Sequence, residues 1–367
     1  MRPTIAEIDL AAIRHNIVQI RNKIGPAAKL VAVVKANAYG HGAVPVSRAA
    51  LQAGADCLAV ALPEEGAQLR AAGFTVPIFI LGLTLPEQAG LVIANDLIAT
   101  VSSSEGIRAL GAAARAAGKQ ASFVLKTDTG MGRIGVTPAE VGALLASAQD
   151  IPEAQPVGVF THLAAADASD KTHAAGQLAL FQTALGQLPA LTYMSAANSA
   201  TIIDLPSGHF NTVRPGIILY GLPPSGEMHR CLELRPAMQL KSRVVYVKQV
   251  PAGTSISYGC THTTERPTFI ATLPIGYADG YNRLLSNKAQ VLIGGRRRPI
   301  VGRVCMDQLM VDLGPDCDTR IGDEAVLFGR QGGAEITVTE LADLAGTINY
   351  ELVCAVSARV PRVYLNE

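Results

Sequence analysis

Apolar residues in this chain come in short unbroken runs separated by longer amphipathic stretches. The runs are LVAVVK (30–35), CLAVAL (57–62), PIFILG (77–82), LIATVS (97–102), SFVLKTD (122–128), PVGVFTHL (156–163), LTYMSAANS (191–199) and VRPGIILYG (213–221). They lack the polar alternation of a half-exposed strand and fit parallel strands covered on both faces. The stretches between them carry helix signals. DLAAIRHNIVQIRNKIG (9–25) starts at a candidate N-cap, Asp9, repeats Leu10, Ile13, Ile17, Ile20 and Ile24 at helical spacing, and stops at Gly25. PEEGAQLRAAG, SSEGIRALGAAARAAG and TPAEVGALLASAQ read the same way. Eight such strands, each followed by helix or loop, predict a closed TIM-type (β/α)8 barrel. An open doubly wound sheet is the alternative, although no GxGxxG follows the first strand.

Near residue 230 the pattern changes. GLPPSGEMHRCLELRPA is a Pro/Gly-bearing connection of the kind that separates domains. Beyond it, MQLKSRVVYVKQV, TFIATLPIGY, QVLIGGRRRPIVGRVCMDQLMVDLG and EAVLF read as antiparallel β, with a Gly-Gly hairpin signal in IGGRRRPI. TVTELADLAG is one late helix with a capping box from Thr337 to Glu340. The expected class is therefore α/β plus β: a barrel over 9–229 and a mostly-β domain over 230–367. The initial strand in 1–8 is expected to join the β domain.

Composition narrows the function classes. Of 367 residues, 49% are apolar and 17% charged, which favours a large core over disorder. A net charge of +1 with no basic tract gives no footprint for a nucleic acid. The cysteines at 57, 231, 260, 305, 317 and 354 show no zinc spacing and read as reduced thiols of a cytoplasmic protein. MRPTIAEIDL carries Glu7 and Asp9 where a signal peptide needs an apolar region, and no window reads as a membrane span.

Chemistry on a (β/α)8 barrel sits at the C-terminal ends of the strands. Lys35 ends the first run. KTDTGMGRIG, with Lys126, Asp128 and Arg133, ends the fifth, His162 the sixth, and Asn198 and Ser199 the seventh. Arg214 and Gly216 fall at the start of the eighth run, which implies a shifted boundary or a broken strand. Each residue has a plainer reading taken alone: a solvated lysine, a core histidine, an arginine bridging Asp128. Their convergence on one face favours a site.

VVKANAYGHG, KTDTGMGRIG, THLAAAD, AANSA, VRPGIILYG, ISYG, IGYADGYNR, GRVCMDQ and TINYE, in this order through nearly the whole chain, resemble the alanine racemase family. The resemblance implies pyridoxal 5'-phosphate (PLP) as cofactor, with Lys35 as its Schiff-base lysine and one base of a two-base L-/D-alanine interconversion. It implies a phosphate site of Tyr39, Ser199, Gly216, Ile217 and Tyr350, with Asn198 and His162 beside the cofactor. Arg214 would face the pyridine nitrogen, which an always-protonated donor keeps unprotonated. Arg133 would contact the cofactor phenol oxygen and the substrate carboxylate. Lys126 matches a lysine often carbamylated in the family. Tyr258 would be the second base, supplied across a homodimer. An ordinary tyrosine, with a pKa of about 10, is a weak base at neutral pH, so cations in a network with His162 and Arg214 would have to activate it. The partner would also bring Tyr277, Arg283, Cys305, Met306 and Asp307 to the entrance, with the Met306 N–H on the substrate carboxylate. No metal, nucleic acid or membrane partner is implied. The competing readings are a basic amino-acid decarboxylase, a broad-specificity racemase and a non-catalytic PLP carrier. ISYG and Arg214 favour the alanine racemase reading over the first, the lack of a signal peptide over the second, and the β domain over the third.

Overall fold

A computed structural model describes residues 2–228 and 232–367. The chain divides into two compact units. One holds Ala12–Ala38 and Ala43–Arg235; the other holds Met1–Ala11, Tyr39–Gly42 and Pro236–Glu367. The expected boundary between 229 and 230, and Cys231, lie outside the described residues. Among the described residues no helix is long and apolar enough to cross a membrane.

After β1 (Ile5–Asp9), eight parallel strands build the first unit: β2 (Lys29–Val33), β3 (Cys57–Val60), β4 (Ile78–Leu83), β5 (Ile98–Val101), β6 (Ala121–Lys126), β7 (Ala154–Phe160), β8 (Tyr193–Ser195) and β9 (Thr212–Val213). They pair in the order β8-β7-β6-β5-β4-β3-β2-β9, and a parallel bridge from Ala197 to Val213 brings the two ends together into a barrel. Every residue of β3 and β5 is buried, which is why these strands read as unbroken apolar runs.

The helices follow their capping chemistry. Asp9 Oδ1 accepts the Ala11 N–H at 2.9 Å at the head of the helix Leu10–Ile24. Ser103 Oγ caps Ser104–Ala117 by accepting from Gly106 N, and left-handed Gly118 (φ 63°) closes it. One strand expectation is corrected. The run 213–221 is not a strand beyond Val213; Ile217–Tyr220 is a 3-10 turn. Pro215 has no N–H to give a ladder, and Gly216 turns the chain at φ −108°, ψ −97°. Arg214 therefore follows the end of β9 rather than opening a strand.

The second unit is mostly β. Its strands are β10 (Met238–Arg243), β11 (Tyr246–Val250), β12 (Ser255–Ile256), β13 (His262–Thr263), β14 (Thr268–Leu273), β15 (Gln290–Ile293), β16 (Arg296–Pro299), β17 (Leu309–Gly314), β18 (Glu324–Gln331), β19 (Ala334–Ile336) and β20 (Arg362–Leu365). The main sheet runs β16-β15-β18-β10-β1-β20, with β19 on β18; β1 is antiparallel to β10 and parallel to β20. A second sheet, β11-β14-β17, and the β12-β13 ribbon complete it. Gly294 and Gly295 (φ 60° and 71°) turn β15 into β16, as a two-residue hairpin requires. Thr337 Oγ1 accepts the Glu340 N–H at 3.0 Å to start the helix Val338–Ala345. The Glu340 carboxylate, expected to reach back to the cap, instead holds Arg297. A further helix, Asn349–Ala355, was not expected from the sequence.

Candidate active site

In the barrel unit, Lys35 follows β2 by two residues and opens a turn of unusual hand. Ala36, Asn37, Ala38 and Tyr39 have φ values of 52°, 53°, 54° and 50°. Left-handed backbone costs an L-residue roughly 1–2 kcal/mol, so four in succession need fixed partners. Asn37 Oδ1 accepts the Ala43 N–H at 2.9 Å. Glu65 Oε1 accepts the Ala36 N–H at 2.6 Å, while its Oε2 accepts from Ala61 N at 2.7 Å and Leu62 N at 3.2 Å. One carboxylate thus ties the lysine turn to the end of β3. Beneath it, the Tyr220 hydroxyl donates to the Val33 carbonyl at 2.8 Å.

Positive charge gathers at the ends of β6, β7 and β9. Lys126 is 2% exposed and donates from Nζ to the Thr127 carbonyl at 2.7 Å. Burial, and then the Arg214 charge, lower its pKa to about 8. Arg214 is 7% exposed; its Nη2 donates to the Thr161 carbonyl at 2.7 Å and its Nη1 to Ser195 Oγ. Burial lowers it to about 9. The Phe160 ring is near both cations, 5.3 Å from Lys126 Nζ and 4.9 Å from the Arg214 guanidinium. His162 is pushed down to about 3, first by burial and then by Arg214, Arg133, Lys126 and Lys35. It is a neutral imidazole at physiological pH. Its burial and the cations around it both disfavour the imidazolium. Asp128 is pushed up by burial but held below its ordinary value by the N–H groups of Gly130, Gly132 and Met131. Its Oδ1 accepts from Gly130 and Met131 at 2.9 Å each. That grip shapes the loop that carries exposed Arg133.

Asn198 caps the short helix Ser199–Asp204, accepting Thr201 N at 3.0 Å. Ser199 Oγ accepts the Gly216 N–H at 2.9 Å, and Ile217 is buried behind it. The ends of β8 and β9 thus meet at Ser199 and Gly216. Lys35, Lys126, Arg133, His162, Asn198, Ser199, Arg214, Gly216 and Ile217 all sit at C-terminal strand ends of the barrel unit or in the loops that follow.

The remaining candidates fall in the second unit. Tyr39 and Tyr350 lie with ring centroids 6.2 Å apart, and burial raises the Tyr39 pKa. Tyr258, Tyr277, Cys305, Met306 and Asp307 line one open cleft of about 810 Å³, together with Tyr246 and Lys248. Tyr258 is 73% exposed and Met306 53%. Tyr277 N donates to the Cys305 carbonyl and Ala278 N to the Met306 carbonyl, both at 3.0 Å, and Arg359 holds Asp307 at 2.7 Å. Arg283 is exposed in a neighbouring 3-10 turn and is not part of this lining.

Three positions escaped the sequence reading. Glu65 and Ser195 carry no local signal for their roles. Gln177 does carry one: it stands on the apolar stripe of Ala174, Leu178 and Phe181. Buried there, it accepts from Ala164 N at 2.8 Å and donates to the His162 carbonyl at 3.1 Å and to Thr129 Oγ1 at 3.3 Å.

Comparison with known proteins bears on this arrangement. The family model "Alanine racemase, N-terminal domain" matches residues 8–224, and "Alanine racemase, C-terminal domain" matches 237–364. An alanine racemase of Symbiobacterium thermophilum is 52% identical over 373 residues, covering 100% of this chain and 98% of its own. Among solved structures, the alanine racemase of D-cycloserine-producing Streptomyces lavendulae superposes with a TM-score of 0.95 at 42% identity, covering 100% of this chain and 98% of that one. The Bacillus anthracis alanine racemase with bound L-Ala-P also gives 0.95, at 40% identity, covering 100% and 96%.

Proposed function

The chain belongs to the alanine racemase family, an isomerase family, and from that premise we propose that it interconverts L- and D-alanine with PLP, using Lys35 and Tyr258 of the partner subunit as opposed bases. The observation that carries the cofactor reading is the charge of the barrel site. Lys35, Lys126, Arg133 and Arg214 all act on one histidine, and Asp128 has its carboxylate committed to backbone N–H groups. Such a surplus of cations, with Lys126 and Arg214 buried, suits a ligand bearing a phosphate, a phenolate and a substrate carboxylate. Once bound, PLP would supply the electron sink for the pair left at Cα.

The chain's own groups would do the rest. Ser199, Gly216, Ile217, Tyr39 and Tyr350 would receive the phosphate. Arg214, fixed by Thr161 and Ser195, would donate toward the pyridine nitrogen. Arg133, on the loop gripped by Asp128, would orient the carboxylate with the N–H of the partner's Met306. Lys35 would exchange a proton with one face of Cα and the partner subunit's Tyr258 with the other, which inversion demands. Lys126, with its lowered pKa, would present more of the neutral amine that carbamylation needs than an ordinary lysine does. The reaction would supply D-alanine for peptidoglycan or catabolise it, in the cytoplasm.

The test is incubation of the purified enzyme with L-alanine in deuterated water, read by chiral analysis and NMR. D-alanine deuterated at Cα, lost in both Lys35→Ala and Tyr258→Phe, is the expected result. Carbon dioxide from a basic amino acid, or a cofactor band without turnover, would overturn it.

A further inference from the structure

Ser257, the residue before Tyr258, has its backbone at φ 66°, ψ 179°. That corner is populated almost entirely by glycine, and a residue with a Cβ stays there only when its surroundings over-determine it. Here they do. Ser257 Oγ donates to the Arg303 carbonyl at 2.6 Å and lies 3.4 Å from Cys305 Sγ. Space for its Cβ exists because residue 302 is glycine: a Cβ on Gly302 would stand 2.6 Å from that of Ser257 and 2.7 Å from the Ile256 carbonyl oxygen. Gly302 N donates to Asn287 Oδ1 at 2.5 Å, and Asn287 Nδ2 donates to Thr261 Oγ1 at 3.1 Å. One asparagine therefore holds the 302–305 segment and the far end of the tyrosine turn together. Beyond Tyr258, Gly259 and Cys260 again have positive φ, 73° and 47°, and Cys260 N closes the turn on the Ser257 carbonyl at 3.3 Å.

The segment that Ser257 grips runs directly into Met306. We propose that Ser257 is a positioning residue that clamps the turn carrying Tyr258 to the segment carrying Met306. The phenol and the N–H meant for the substrate carboxylate then keep one spacing. This rests on the reading of Tyr258 as the second base. A base and the carbon whose proton it takes must stand about 3–3.5 Å apart, and a misplacement of about 1 Å can cost on the order of 100-fold in rate. An exposed tyrosine on an ordinary loop would not hold such a tolerance.

The clamp is tested with Ser257→Gly and Ser257→Ala beside wild type and Tyr258→Phe. Glycine accepts φ 66°, ψ 179° freely, so Ser257→Gly removes the clamp while relieving the backbone. The Tm of the apo protein should hold or rise while kcat falls by roughly 10- to 100-fold. Because the substrates are enantiomers, kcat/KM must fall equally in both directions. The direction appears instead in the isotope effects: larger with the Cα-deuterated enantiomer whose proton Tyr258 removes, where the tyrosine step becomes limiting, and closer to unity with the Cα-deuterated enantiomer whose proton Lys35 removes. Ser257→Ala keeps the Cβ, so it should lower Tm and show the same isotope signature. Wild-type kcat and isotope effects in Ser257→Gly, with Tyr258→Phe inactive, would overturn the clamp alone. A loss of kcat that tracks Tm with unchanged isotope effects would also overturn it, leaving Ser257 a merely structural residue. An active Tyr258→Phe would overturn the base assignment itself, and the clamp with it.

Discussion

His162 and Lys126 are residues whose ordinary charge the barrel suppresses, and each leaves a mark on stability. An unfolded histidine takes up a proton below about 6.5, whereas the folded His162 refuses it until about 3. In that window the unfolded chain binds more protons, so stability falls as pH drops, by up to about 1.4 kcal/mol per pH unit. Urea unfolding of apo His162→Asn should show a flatter acid limb than wild type; parallel limbs would mean that the imidazole bears no such cost. Lys126 acts at the other end of the scale. Its folded pKa of about 8 lies below the ordinary 10.5, so the cost of the buried ammonium is full below the folded value and fades as pH rises toward the unfolded one. Lys126→Met should raise the apo Tm at neutral pH, with the gain shrinking toward zero near pH 10.5. A gain independent of pH would point to packing rather than charge.

At the scale of elements, the lysine turn and the Asp128 loop depend on single carboxylates. Glu65→Gln replaces one oxygen of a three-point acceptor with an amide that cannot accept. Its expected effect is a loss of about 1.5–3 kcal/mol, the range for hydrogen bonds to charged groups, read as a lower denaturant midpoint with unchanged slope. Asp128→Ala frees the N–H groups of Gly130, Met131 and Gly132 and loosens the mount of Arg133. The alanine KM should rise and kcat fall, on the order of tenfold each, as a misaligned clamp predicts. The glycines of this loop were legible as a turn, but the carboxylate grip was not, because it depends on backbone N–H directions. The barrel strands were legible for a physical reason: strands buried on both faces spell continuous apolar runs, as in CLAVAL and LIATVS. The last run failed because IILY is as apolar in a buried 3-10 turn as in a strand, and Pro215 and Gly216 decided between them. The left-handed course of Ala36 to Tyr39 had no signal, since three of its four residues are not turn formers; tertiary hydrogen bonds impose it. Likewise nothing in SISYG announces the backbone of Ser257.

The candidate groups divide between the two units: Lys35 with the barrel, Tyr258 with the β unit. If each site draws Lys35 from one chain and Tyr258 of the partner subunit from the other, the two loss-of-function variants should complement each other. Lys35→Ala chains carry an intact tyrosine, and Tyr258→Phe chains an intact lysine. In a mixed dimer one site then inherits both defects and the other inherits neither. Random reassortment of equal amounts makes half the dimers mixed, with one good site in two, so activity should recover to about one quarter of wild type. The measurement is racemisation before and after the two inactive proteins are dissociated in mild denaturant and refolded together, with each refolded alone as control. Recovery near that fraction requires sites shared across a dimer. If both residues of a site came from one chain, no reassortment could create an intact pair, and the mixture would stay as inactive as its components.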